Sequence, residues 1–538
     1  MEKEFSSPAG TWQYEGMNRR ALLQGAGTAG LAGVVGAADA PITVRAFEPG
    51  GGPAAVTWLK SLLCVQPDGR PFEILPKPKD DGSATLAVPA GTFEITMLLP
   101  VRDFGQVYLY ADNAGARYAP GSLTGEVLLN YEFARSRAAF VRRYVRAARA
   151  AGAGFSAEMN QRLKRGEAAL ERAAAARSVT ERANHSNDSL AETMWAGEMA
   201  AVERARYRIG RNGPRPGFLF GCNAFSFARS DEYSRRFVEL LNFGTVPFYR
   251  ATTETVEGSP DYSRVDAILE KMAGTQILTK GHPLVWFHRA GVPEFLKQKS
   301  WQELRESCRN YILRSVGRYR TRIHAWDVIN EAHDWANDLN LDAGQLVEIT
   351  RLAAETTRAA DPTAFRVVNN CCTWAEYVAT RRTYSGPLGR RSRTPLEYLQ
   401  AVNEARVPYE AVGLQVYYPA RDMLEIERQI ERYFVLRKPI HITELGVSSS
   451  SEVASAGENR QPSRNVWHGA EWTGQIQADW AEQFYTICYS KPEVQAITWW
   501  DFSDPAFIPH GGFLKPDFTP KESYDRLLKL IAGWRQMG

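Results

Sequence analysis

The spacing of apolar positions changes twice along the chain and divides it into stretches of different character. From Ile42 to about Tyr118, short runs alternate apolar and polar residues, as in Ile42 to Phe47, Phe93 to Leu98 and Gln106 to Tyr110, and Gly, Pro and Asp turns separate them. A period of two with such breaks predicts strands, and their number predicts a small β-sandwich over residues 41–125. Over residues 126–212 the period lengthens to that of a helix, Ala, Arg and Glu dominate, and Gly152 and Gly154 interrupt the pattern once. That stretch predicts a helical linker or hairpin whose basic face is solvated.

From residue 213 to the end, β-branched apolar runs alternate with amphipathic stretches. Eight runs are strand candidates: Phe218 to Cys222, Thr245 to Tyr249, Ile277 to Trp286, Trp326 to Asn330, Phe365 to Asn369, Ala411 to Tyr417, His441 to Glu444 and Ala496 to Trp500. Helical periodicity marks Ser263 to Ala273, Trp301 to Arg318, Ala343 to Ala360, Met423 to Leu436 and Gln475 to Tyr489. Strand and helix in such alternation predict an α/β fold, a (β/α)8 TIM barrel over residues 213–538 whose active site lies at the carboxyl ends of the strands.

Composition narrows the function. A net charge of +4 over 538 residues, with arginines spread along helices, excludes a nucleic-acid partner. No apolar stretch is long enough to span a bilayer as a structural helix. The six cysteines form no CxxC pair and no His/Cys metal spacing, so neither a metal nor any other cofactor is expected; they read as buried thiols, the adjacent Cys371 and Cys372 included, with a vicinal disulfide as the alternative. At the start, Arg19-Arg20, a weakly apolar stretch from Gly25 to Gly36 and Ala38-Asp39-Ala40 follow Met17 in the order of a twin-arginine export signal. Residues 1–40 are therefore expected to be an export segment and the protein periplasmic or extracellular, although Pro41 sits awkwardly after the cleavage motif.

Two glutamates, 113 positions apart, end apolar runs: Glu331 closes His324 to Glu331 and Glu444 closes Ile440 to Glu444. An acid at the end of a buried strand is costly without a task. Two such acids at one barrel mouth have the chemistry to cut a glycosidic bond, one protonating the leaving oxygen and the other attacking or stabilising the anomeric carbon.

Six segments in order, Gly281-His-Pro-Leu-Val-Trp286, Trp326-Asp-Val-Ile-Asn-Glu331, Ala360-Asp-Pro362, Gly413-Leu-Gln415, Ile442-Thr-Glu-Leu445 and Trp499-Trp500, resemble glycoside hydrolase family 10, the retaining endo-β-1,4-xylanases. The resemblance covers Pro216 onward. It implies Glu331 as general acid/base and Glu444 as nucleophile of a double displacement through a covalent glycosyl-enzyme, which needs carboxyls roughly 5–5.5 Å apart. It also implies Asn330 on the sugar 2-hydroxyl, His282 and Trp286 on the inner sugar, Gln415 bonding near the nucleophile, and Trp500 stacked on the sugar at the cleavage site.

The departures from the family pattern are specific. Its Asn-Glu-x-Lys-Trp segment reads Val246-Pro-Phe-Tyr-Arg250, so Val246 and Tyr249 replace an asparagine and a lysine that contact inner sugars. Its Gln-x-His reads Gln415-Val-Tyr417 and its Glu-x-Asp reads Glu444-Leu-Gly446. With histidine and aspartate both gone, Tyr417 is expected to give Glu444 one neutral hydrogen bond, leaving a more basic nucleophile and a slower or more acid-sensitive enzyme. Arg289, with His288 beside it, replaces an outer glutamine, and Phe507 stands near the place of a distal tryptophan. The expected partner is a polysaccharide: xylan, or another or decorated β-glycan given the altered contacts. A barrel that binds glycan without turnover is the reading from a different class. In the amino-terminal sandwich, Trp58, Tyr108 and Tyr110 are candidate sugar-stacking rings, a purely structural role being the alternative. Oligomeric state leaves no mark in the sequence.

Overall fold

The protein is described by a computed structural model covering residues 41–417, 420–452, 466–469 and 471–537. The expected export segment, with Arg19 and Arg20, lies outside the described residues.

Eight parallel strands close into a barrel: β1 Leu219–Asn223, β2 Phe243–Pro247, β3 Leu278–His282, β4 Ala325–Asn330, β5 Phe365–Asn370, β6 Ala411–Tyr417, β7 Ile440–Gly446 and β8 Val494–Trp499. Each strand pairs with its sequence neighbour, and β8 returns to β1. Both faces of such strands are covered, by side chains filling the barrel and by helices outside, so they are almost continuously apolar. Of the helices that follow the eight strands, Asp231–Leu240, Pro395–Glu404 and Glu522–Arg535 carry no expectation from apolar periodicity. The second starts at a Thr394–Glu397 capping box with Pro395 in its first turn, a signature that local chemistry writes more clearly than hydrophobic spacing does. The stretch expected as one helix from Met423 to Leu436 is α-helical only to Arg432 and tightens to a 3-10 turn over Tyr433–Leu436.

Two of the strand pairings are irregular next to the glutamates. In β4, Asp327 pairs with Val367 and Ile329 with Val368, so Val328 is an extra residue. In β7, Ile442 pairs with Leu414 and Glu444 with Gln415, so Thr443 is extra. A bulge shifts the alternation of side chains and re-aims those beyond it. Here it re-aims the last residues of the two strands that carry the acids.

The amino-terminal region has two sheets. One joins Leu63–Val65, Glu94–Val101 and Gly105–Ala111; the other joins Lys77–Pro78, Ser83–Leu86, Ile42–Arg45 and Glu126–Leu128. Three helices follow: α1 Leu129–Ala150, α2 Ala157–Ala175 and α3 Val179–Asn212. The chain breaks twice, not once. Gly152 and Gly154 mark the first break; Ser178, which caps α3 by accepting from Glu181 N, marks the second and is a weaker signal in an Ala-rich sequence.

These helices dock on the barrel. α3 lies against the helices Met423–Arg432 and Gly474–Tyr489. Gly197 permits the approach, since a Cβ there would stand 3.0 Å from Leu424 Cδ2 and 2.3 Å from Arg137 Nη2. Arg137 on α1 donates to both oxygens of Asp422, at 2.6 and 3.2 Å, and to the carbonyls of Thr193 and Met194. One apolar core runs from the amino-terminal sheets into the barrel. One candidate sugar-stacking ring is used in this docking, the Arg421 guanidinium lying 3.7 Å over Tyr108, and another, Tyr110, is buried. Trp58 is half-buried and donates from Nε1 to Glu48.

Arg137 and Asp422 are both buried, and removing one member of such a pair strands the other charge. Arg137→Met is expected to destabilise the protein by about 3–5 kcal/mol, read as a fall in the denaturant midpoint; an unchanged midpoint would show that the amino-terminal region is not coupled to barrel stability.

Candidate active site

β4 and β7 bring Glu331 and Glu444 to the same end of the barrel, both buried at its mouth. Glu331 stands one residue beyond β4 with φ 56°, a conformation that costs a non-glycine residue of order 1 kcal/mol and is held here by its N–H, which donates to Asn369 O at 2.9 Å. The segment after β3 runs beside β4, with Asn330 N donating to Val285 O at 2.9 Å, and so seats Trp286 next to Glu331.

The donors are divided between the two carboxyls. Glu331 accepts from Trp286 Nε1 and from Gln415 Nε2, both at 2.9 Å. Glu444 accepts from Asn369 Nδ2 at 2.9 Å and from the Tyr417 hydroxyl at 2.8 Å. Gln415, expected near the nucleophile, sits beside Glu444 in register but gives its amide to Glu331. The amide donating to Glu444 is instead that of Asn369. Asn330 links the two halves, its Oδ1 accepting from Asn369 at 2.8 Å and from Gln415 at 3.3 Å. Gly413 makes room for this bridge, because a Cβ there would lie 2.6 Å from Asn369 Oδ1. Thr443, the bulged residue of β7, donates its hydroxyl to the same oxygen.

A chain of buried charged groups reaches Glu444 from within the barrel. Lys280 Nζ lies 2.8 Å from Asp327 Oδ2, which is 2.7 Å from His282 Nδ1, and His282 Nε2 is 3.8 Å from Glu444 Oε1. Burial lowers the pKa of His282 below the usual imidazole value. Lys280 and Asp327 act on Glu444 in opposite directions. Tyr417 is packed from two sides: the Phe507 ring is 5.3 Å away, and a Cβ on Gly446 would lie 3.7 Å from the tyrosine ring and 3.3 Å from Ile508 Cγ1.

Burial raises the pKa of both acids. Glu444 is pushed up to about 8 by burial and then by the charge of Glu331, with the Tyr417 hydrogen bond opposing. Burial also raises Glu331, opposed by the bonds from Gln415 and Trp286. The stronger upward push falls on Glu444, and the neighbouring charge of Glu331 is part of its cause.

Aromatic side chains line the approach. Trp500 meets His282 edge-on at 5.1 Å and Phe225 at 5.7 Å. Tyr249 lies 5.6 Å from His282 and 5.8 Å from Trp286. Val246 is buried. Trp286 stacks on His288 at 4.3 Å, His288 meets Tyr384 at 3.9 Å, and Arg289 lies 5.0 Å over Tyr384. Cys371 and Cys372 are free thiols, Cys371 beside His333 at 3.6 Å. Among the described residues no group of three or more His, Cys, Asp or Glu side chains has a metal-binding arrangement.

All eight side chains singled out from the sequence, His282, Trp286, Asn330, Glu331, Gln415, Tyr417, Glu444 and Trp500, lie in this one constellation. Sequence reasoning passed over Asn369, Lys280 and Asp327. Their signal was present: polar or charged side chains at the end of, or inside, strands that are otherwise apolar.

Residues 250–507 match the model of glycosyl hydrolase family 10. Over 278 residues the chain is 26% identical to an endo-1,4-beta-xylanase/feruloyl esterase of Xylanibacter ruminicola, a match covering 46% of this chain and 35% of that protein's length. It is 22% identical over 337 residues to endo-1,4-beta-xylanase B of Thermotoga neapolitana, covering 59% of this chain and 88% of the other. Among solved structures, native xylanase 10B from Thermotoga maritima aligns with 59% of this chain and 95% of its own, at 20% identity and a TM-score of 0.46.

Because the Tyr417 bond favours the ionised form of Glu444, Tyr417→Phe is expected to raise that pKa further. A hydrogen bond to a charged group is worth about 1.5–3 kcal/mol, so the acid limb of the kcat/KM profile should move up by roughly one to two pH units. An unmoved limb would show that the phenol does not tune the acid.

Proposed function

The carboxy-terminal barrel belongs to glycosyl hydrolase family 10, and from that membership we propose that this chain hydrolyses internal β-1,4 linkages of xylan with retention of anomeric configuration. The observation that carries the reading is the pair of buried carboxyls, Glu331 and Glu444, each with its own donors and joined through Asn330 and Asn369.

In this mechanism Glu331 is the acid that protonates the leaving oxygen and Glu444 the nucleophile that attacks the anomeric carbon; water, activated by Glu331 as base, then releases the sugar from Glu444. In the sugar-free cleft the stronger upward push falls on Glu444. Substrate reverses this, since positive charge developing at the anomeric carbon favours the anion beside it while the leaving oxygen draws a proton from Glu331. Trp286 and Gln415, which donate to Glu331, hold it in place for both transfers. Asn330 would bond the sugar 2-hydroxyl, a contact that strengthens as the oxocarbenium ion forms. His282 and Trp500 flank the reacting sugar.

A second reading, hydrolysis of a different or decorated β-1,4-glycan, is favoured by one observation: Tyr249 sets a ring between His282 and Trp286 where a polar inner-sugar contact is absent. Export to the periplasm or cell exterior accords with a polymeric substrate and is part of the proposal.

The protein is expected to release oligosaccharides from xylan with the new reducing end initially in the β configuration by 1H NMR. Glu444→Gln should reduce turnover by at least about a thousandfold, and Glu331→Ala should affect poor leaving groups more than good ones. Initial release of the α anomer would exclude retention. Activity only on glucan or mannan would select the second reading, and a parent that binds glycan without cleaving any would exclude both.

Because Glu444 must be ionised to attack and its folded-state pKa is raised to about 8, the active fraction falls as pH drops below that value. The acid limb of kcat/KM should therefore lie well above the ordinary carboxylate range; a limb near pH 4 to 5, roughly the unperturbed glutamate value, would show that burial does not raise Glu444 in the working enzyme.

A further inference from the structure

A file of rings leads away from the catalytic acid along one wall of the cleft. Trp286 donates from Nε1 to Glu331, and its indole lies on the His288 imidazole, centroids 4.3 Å apart and planes within 9° of parallel. The Tyr384 ring follows at 3.9 Å, and the Arg289 guanidinium lies 5.0 Å over that ring. Tyr384 comes from the segment after β5, at the turn of a small hairpin in which Arg382–Thr383 pairs with Gly386–Pro387. The hairpin is pinned where it meets the loop after β4: the Ser385 hydroxyl accepts from Asn337 N at 3.1 Å and donates to Asp338 at 2.6 Å. Further along the same segment, Arg390 Nη2 and Arg393 N donate to the buried Asp334 at 2.6 and 2.9 Å.

Arg289 ends the file, and its charge is uncommitted. It is exposed, and among the described residues no carboxylate pairs with it; Asp338, the acid of the adjoining loop, takes the Ser385 hydroxyl. Burial, and then the charge of Arg289, pushes the His288 pKa down to about 3, so the imidazole is neutral and the guanidinium is the one cation of the file. The ring beneath attracts the guanidinium and narrows the positions it samples, which reduces the entropy lost when a partner binds. An amide is sufficient for a neutral sugar hydroxyl. Five N–H donors and a full charge on a planar fork match a carboxylate, which accepts two parallel hydrogen bonds from it.

We propose that Arg289, backed by Tyr384, is a binding site for the carboxylate of a uronic-acid substituent carried on a sugar next to the one being cleaved, so that the substrate class is an acidic, decorated β-1,4-glycan. The inference rests on the hydrolase reading and deepens it by naming the decoration. It also gives the hairpin after β5 a task, which is to bring the supporting ring to the cleft wall.

The test compares glucuronoxylan with the same polymer after its uronic carboxyls have been reduced to alcohols, which keeps every side branch and removes the charge. The parent should show kcat/KM about fivefold higher on the acidic form, the upper range for an exposed ion pair of good geometry, and added salt should diminish that ratio. In Arg289→Gln the ratio should fall to near one. Tyr384→Leu should lower it, and Tyr384→Phe, which keeps the ring, should preserve it. A ratio near one in the parent, or one that survives Arg289→Gln, would overturn the inference; a ratio that Tyr384→Leu leaves intact would overturn the role given to the ring. Calorimetric titration of Glu444→Gln with a xylo-oligosaccharide carrying one glucuronic acid, against its carboxyl-reduced form, reads the same contrast without turnover. A parent inactive on every β-1,4-glycan would therefore defeat the hydrolase reading while leaving this site measurable, and a parent that cleaves xylan with no preference for the acidic form would defeat the site alone.

Discussion

One constraint governs the site: two carboxyl groups are buried at the same barrel mouth, burial raises the pKa of both, and the charge of Glu331 pushes Glu444 further up. Relief comes from neutral donors placed one by one, Trp286 and Gln415 on Glu331, Asn369 and Tyr417 on Glu444. Much of the local architecture serves that placement. Bulges in β4 and β7 re-aim the strand ends, Gly413 clears space for the Asn369 amide, and Glu331 takes a left-handed backbone conformation one residue past its strand.

The electrostatic tuning is correspondingly delicate. The interior chain of Lys280, Asp327 and His282 places a cation, an anion and an imidazole with lowered pKa beneath Glu444, and its two charges oppose each other there. The outer side carries Tyr417, a neutral phenol in contact with Phe507 and next to a glycine.

Much of this was legible in the sequence because the barrel repeats a simple physical rule. Buried parallel strands must be apolar, so the eight runs stand out, and an acid at the end of one of them is conspicuous. The eight expected site side chains converge because strand ends in a closed barrel have nowhere else to point. What escaped notice lacks a one-dimensional signature. Asn369 appears as an ordinary strand end until Gly413 and Thr443 are seen around it, and Lys280 and Asp327 become a pair only when β3 and β4 are neighbours. Gln415 was expected near the nucleophile and pairs beside it in register, but register does not say which of the two acids its amide reaches. Periodicity identified helices in the residues before the barrel but not their docking, which depends on single residues such as Gly197, Arg137 and Arg421 meeting partners far along the chain.

The most direct measurement is a 13C NMR titration of the Glu444 carboxyl in sugar-free protein labelled at glutamate, with the resonance assigned by its loss in Glu444→Gln. The account predicts a midpoint near 8 in the parent, and a lower one in Glu331→Gln, where the neighbouring charge has been removed. A midpoint in the ordinary carboxylate range, or one that does not respond to the loss of Glu331, would contradict it.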